Sequence, residues 1–103
     1  MSKFLFAYHG GSTPSSPAEG KKVMDAWMKW FGSMGKAVVD GGNPLGMSKT
    51  VSAKGTAGNG GANPVSGYSL IEAKDMASAV KLAQTCPIIG AGGSVEIAEC
   101  MAM

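Results

Sequence analysis

Phe4, Phe6 and Tyr8 alternate with Leu5 and Ala7 across residues 3–9, a period of two that predicts a β-strand with both faces at least partly covered. The strand ends at Gly10-Gly11. Beyond the loop residues Ser12 to Ser15 the period changes. Val23, Trp27, Trp30, Phe31 and Met34 recur at helical spacing, with Lys21, Lys22, Asp25, Lys29 and Ser33 on the other side. Ser16 is placed as N-cap, Pro17 takes the first helical position, Glu19 at N3 closes a capping box, and Gly35 ends the helix in the left-handed region. A stripe of this composition reads as a core-facing surface before it reads as a ligand pocket.

The second half repeats the alternation of periods. Residues 37–42 (AVVDGG) form a short second strand that runs into a Gly-Asn-Pro turn, and residues 47–53 predict an irregular strand. The run GTAGNGGAN at 55–63 predicts a turn or mobile tip. Residues 67–73 form the next strand. Asp75 then caps a second helix through Thr85, whose apolar side is Met76, Ala79, Val80 and Ala83, and Cys86-Pro87 ends it. After the turn at 90–93, residues 94–101 alternate as a final strand.

The order β-α-β-(β)-β-α-β is the split βαβ pattern of a ferredoxin-like α+β fold, with two helices on one face of an antiparallel sheet. At 103 residues the whole chain, 1–103, is expected to form a single domain. Two helices cover only one face of the sheet. Apolar alternation on both sides of the strands predicts that a second copy covers the other, as a homodimer closing two sheets into an α/β barrel.

Composition narrows the partners. Hydrophobic residues make up 45% of the chain and charged ones 16%, rich for so small a monomer and in keeping with a dimer. The net charge of +2 comes from nine lysines against seven acids, scattered without a basic run, and no arginine is present. Nucleic acid is therefore not an expected partner. No apolar stretch reaches the ~18 residues of a membrane span. The opening Met1-Ser2-Lys3 runs straight into strand residues with no leader-like segment, so a cytoplasmic setting is expected, with Cys86 and Cys100 as small buried hydrophobes.

The blocks FLFAYHGG, Trp27 and Trp30 followed by Phe31-Gly32, VVDGGNPLG, GYSLIEAKDMASAVKLAQTCP and GGSVEIAE resemble, over nearly the whole chain, the YCII-related proteins and their DGPF-domain relatives. That resemblance implies a dimeric α/β barrel. Where catalysis has been proposed in the family it looks like a His-Asp pair, the Asp ending the first strand and the His in the first helix. Here the only histidine, His9, ends the first strand and the first helix has none, so the pair does not carry over. The DGPF tetrapeptide is replaced by Ala62-Asn63-Pro64-Val65.

Topology indicates where polar residues meet. With strands one and two parallel and the last two antiparallel to them, His9, Asp40, Tyr68 and Ser94 fall at one sheet edge beside the loop that begins at Gly10-Gly11. His9 is the candidate general acid/base, and Asp40 would tune it across two strand spacings, ~9.6 Å. Tyr68, Ser94, Gly10 and Gly11 are the candidate ligand-binding residues. The Gly-rich runs lack the Lys-Ser/Thr of a phosphate loop or the strand-to-helix order of a dinucleotide fingerprint, and one histidine with two separated cysteines falls short of a zinc set. The expectation is acid/base chemistry on a small organic molecule without metal or cofactor. Non-catalytic ligand binding, or a dimer acting as an accessory protein, stands as the alternative.

Overall fold

Phe4 and Phe6 are 1% and 0% exposed, while Leu5 and Ala7 between them are only half-buried. Strand β1 (Ser2–His9) thus presents a sealed face and an open one. The cause is visible in the computed structural model, which describes residues 1–12 and 14–102. Thr13, part of the expected loop, lies outside them.

The chain continues through α1 (Pro17–Met34), a single 3-10 turn at Gly35–Ala37, β2 (Val38–Asp40), β3 (Thr50–Ser52), β4 (Gly55–Ala57), β5 (Val65–Ala73), α2 (Met76–Ala83), the one-turn α3 (Pro87–Gly90) and β6 (Ser94–Glu99). The main sheet has the order β2-β5-β1-β6, and β1 runs antiparallel to both β5 and β6. This is a ferredoxin-like α+β arrangement. Register places Phe4 opposite Ile71 and Phe6 opposite Ser69 and Ile97 on the sealed face. Trp30 of α1, Ala79 and Ala83 of α2 and Ile88 of α3 pack there with Phe4, Phe6, Tyr8, Ile71, Ala73 and Cys86 as one core. Ala79 and Ala83 are the buried residues of α2, and Leu82 packs beside them against the core.

Caps match the sequence signals in part. Ser16 Oγ accepts from Glu19 N at 3.1 Å, but the Glu19 carboxylate accepts from the Ser15 hydroxyl and does not close a reciprocal box. Asp75 Oδ1 accepts from Ser78 N at 2.8 Å, and these bonds to Ser78 hold its carboxyl below the usual range. Gly35 (φ 56°) ends α1 with its N–H on Phe31 O. Three expectations are corrected. Residues 55–57 of the Gly-rich run form strand β4, because Thr50–Ser52 gives them a ladder to complete. Helix α2 stops at Ala83, two residues early, and Cys100, beyond the end of β6, is exposed while Cys86 is buried. Among the described residues, the β3–β4 hairpin pairs only with itself. The radius of gyration, 14.8 Å against about 13 Å for a compact chain of this size, registers the extension.

Candidate active cleft

The segment after β1, the turn after β2 and the first half of α1 together line a cleft of about 920 Å³. That volume lies near the top of the range for small-molecule sites. One wall is aromatic. Tyr8 at the end of β1 stands edge-on to Trp27 of α1, with ring centroids 4.9 Å apart, and Trp27 lies 5.9 Å from Phe31. Glycines 10, 11, 41, 42, 67 and 90 contribute backbone to the lining. Gly10 (φ 74°) and Gly11 (φ 89°) turn the chain out of β1 through backbone conformations that favour glycine. A Cβ on Gly11 would press on Ile88 at 3.3 Å.

The Tyr8 hydroxyl does not serve the cleft. It donates to Ser69 Oγ at 2.8 Å, and Ser69 Oγ donates in turn to Gly41 O at 2.7 Å. This chain ties β1, β5 and the turn after β2 together beneath the aromatic wall. Burial pushes the Tyr8 phenol well above the ordinary tyrosine range and the Cys86 thiol up to about 11. Near neutral pH both stay protonated, so neither is a base or nucleophile. The charged groups on the cleft are Glu19 and Lys22, both on the exposed side of α1.

Of the residues singled out in the sequence, Gly10, Gly11 and Tyr68 line the cleft. His9 and Ser94 pair with each other across β1 and β6 but do not line it. Asp40 pairs with Leu70, whose partner in β1 is Leu5, so it stands four residues below the level of His9. That is about 13 Å along the strands and about 9.6 Å across them. The Asp40 carboxylate instead accepts from Gly42 N at 2.8 Å and shapes the turn. The structure therefore brings Gly10, Gly11 and Tyr68 together and leaves Asp40 apart from His9.

His9 has a partner that sequence reasoning missed. Its Nε2 lies 3.0 Å from Glu96 Oε1, and its Nδ1 lies 3.0 Å from Asn63 O and 3.2 Å from Pro64 O. Every one of these partners is an acceptor, so an imidazole with protons on both nitrogens satisfies them all and a singly protonated ring satisfies one side. The contacts anchor residues 63–64 onto the sheet. Strand alternation contained the signal for Glu96, which is the next residue on the same face of β6 after Ser94. The aromatic cleft wall carried no separate signal, because Trp27 and Phe31 share the helical spacing of the core residue Trp30. Among the described residues, no three His, Cys, Asp or Glu side chains come together as a metal set.

No family model matches the chain, and no curated protein matches it. Among solved structures it is similar to 5-chloro-2-hydroxyhydroquinone dehydrochlorinase from Burkholderia phenoliruptrix AC1100, determined in complex with 2,5-dihydroxybenzoquinone. The likeness has a TM-score of 0.56, spans 96% of this chain and 95% of that one, and comes with 15% sequence identity. It is a likeness of fold.

Proposed function

We propose that this protein is a YCII-related small-molecule protein that takes a compact organic ligand in the cleft between β1, α1 and the turn after β2. The observation behind this reading is the composition of the cleft: an aromatic wall, backbone opposite it, and charge confined to Glu19 and Lys22. Such a site gains affinity from apolar contact and orientation from a few polar groups. A second copy of the chain covers the open sheet face, where Leu5, Ala7, Tyr68 and Leu70 are half-buried with no helix over them.

The location of the site is testable with the two indoles. The Trp30 Nε1–H donates to Leu82 O and Thr85 Oγ1, both at 3.1 Å, away from the cleft, whereas Trp27 lines it. In a fragment screen followed by amide and indole NMR, binders are expected to move the Trp27 indole signal and leave that of Trp30 in place. Binders that move neither indole would place the ligand elsewhere.

A second reading, acid/base catalysis with His9 as the general acid/base, is favoured by the fold shared with a dehydrochlorinase and by the His9–Glu96 pair. It requires a ring nitrogen of His9 to leave its protein acceptor and face the ligand. Under this reading His9→Ala keeps the fold and abolishes turnover of a substrate identified from the screen. Turnover that survives the substitution removes His9 from the mechanism.

A further inference from the structure

We infer that Asn59 is a self-modifying site: it deamidates through a succinimide, and the isoaspartyl product loosens residues 63–64 from His9. Residue chemistry singles out Asn59 among the asparagines of the chain. Asn43 and Asn63 both precede a proline, Pro44 and Pro64, whose nitrogen carries no hydrogen and cannot close the succinimide ring. Asn59 precedes Gly60, where no Cβ shields the backbone nitrogen. The structure adds two conditions. Asn59 is exposed and lies just past β4, in a hairpin whose strand residues are all exposed. A two-stranded hairpin on its own is marginal in water, so local opening gives the backbone the freedom that ring closure needs. The side-chain carbonyl is also polarised already, since Asn59 Oδ1 accepts from Gly61 N at 3.0 Å. That N–H faces the oxygen on which negative charge develops.

The step balances within the chain and water. The Gly60 nitrogen, having lost its proton to hydroxide, attacks Asn59 Cγ and forms a new C–N bond. The bond from Cγ to the side-chain nitrogen breaks, and that nitrogen takes a proton from water and leaves as ammonia. Water then opens the cyclic imide at either carbonyl. One opening gives aspartate, and the other gives an isoaspartyl linkage whose main chain runs through Cβ and Cγ and is one atom longer. The extra atom falls where there is no slack. A Cβ on Gly60 would meet Ser48 Oγ and stand 2.8 Å from Pro64 Cβ, so Gly60 is seated against both. Asn63 O and Pro64 O lie 3.0 Å and 3.2 Å from His9 Nδ1. Lengthening the chain before Gly60 therefore displaces the segment that His9 anchors.

Incubation of the whole protein at physiological temperature, followed by tryptic mapping, reads all the asparagines in two peptides, residues 37–49 and 55–74. Asn59 is expected to gain the mass of an NH2-to-OH exchange, as separate aspartyl and isoaspartyl peaks. Conversion is several-fold faster in mildly alkaline than in mildly acidic buffer, because the attacking species is the amide anion. Peptide 37–49 stays unchanged, and so does Asn59→Gln, whose extra methylene disfavours ring closure. By NMR, the aged protein shows a second set of His9 ring signals in proportion to its isoaspartyl content. Fresh Asn59→Asp carries the new charge without the extra backbone atom and keeps the parent signals. No conversion at Asn59, conversion only when urea unfolds the protein, or equal conversion at Asn43 or Asn63 overturns the site. Isoaspartyl product with the His9 signals unmoved, or an equal shift in Asn59→Asp, overturns the link to residues 63–64.

Discussion

Trp30→Ala is expected to lower folding stability by about 3–5 kcal/mol, the usual cost of removing a large buried aromatic side chain. Trp30 is 5% exposed and stands at the centre of the aromatic cluster, with ring centroids 6.4 Å from Phe6, 6.4 Å from Tyr8, 5.6 Å from Trp27 and 5.2 Å from Phe31. Its Nε1–H also ties α1 to the end of α2 through Leu82 O and Thr85 Oγ1. Truncation therefore opens a cavity, removes the link between helices and leaves the aromatic wall without its backing. Domains of this size have about 5–15 kcal/mol in total, so the variant stands near the threshold of folding. Urea titration monitored by circular dichroism should show the midpoint falling by roughly 1.5 M or more at an m of about 2 kcal/mol/M. Trp30→Phe retains most of the ring contact and should cost clearly less, since it gives up mainly the hydrogen bonds. A loss below about 1 kcal/mol for Trp30→Ala would show that the cluster does not hold the helices to the sheet.

Gly42→Ala has the second largest expected effect, and its origin is the backbone. Gly42 has φ 72°, and a Cβ there would lie 1.8 Å from Tyr68 O and 2.7 Å from Tyr68 C. Tyr68 cannot yield, because β5 is hydrogen-bonded between β2 and β1. The turn must move instead. With it go the Tyr68 N to Asn43 O bond at 3.3 Å, the Pro44–Gly67 bridge and the position of the glycine wall of the cleft. The conformational penalty alone is about 1–3 kcal/mol, and the clash adds to it. Gly41→Ala is the matched control. Gly41 has no positive φ, and its added Cβ would find its nearest atom 4.0 Å away, so its melting temperature should stay within a few degrees of the parent. Similar losses for the two substitutions would count against the turn geometry as the cause.

Much of this architecture was legible in the residues. Alternation of Phe4, Phe6 and Tyr8 with Leu5 and Ala7 marked a strand with both faces at least partly covered, and Ser16-Pro17 marked the start of α1 to the residue. Asp75 marked the start of α2 in the same way. These are local signals, read from period and from which side chain can cap an orphaned N–H. The strand order followed too, since a split βαβ connection leaves few ways to cover one sheet face. The site was less legible. His9, Gly10 and Gly11 were identifiable as the end of a strand, and Gly10, Gly11 and Tyr68 do line the cleft. Asp40 does not join them, because the chain leaves β2 at Gly41-Gly42, level with Leu70, well below the end of β1.

Two decisions lay outside any local pattern. The first is which aromatic residues became core and which became cleft. Trp27, Trp30 and Phe31 belong to one helical stripe, yet Trp30 is sealed against α2 while Trp27 and Phe31 face the opening, as does the 39% exposed Val23. The angle at which α1 crosses the sheet sets that division, and spacing along a helix does not encode a crossing angle. The second is the pairing of His9 with Glu96 and the 63–64 carbonyls, contacts made across 54 to 87 residues of chain. Residue types and their periods determine elements, caps and faces because those energies are settled within a turn or two of backbone. Long-range register and helix placement determine what meets across the cleft, because those energies exist only once the whole core has closed.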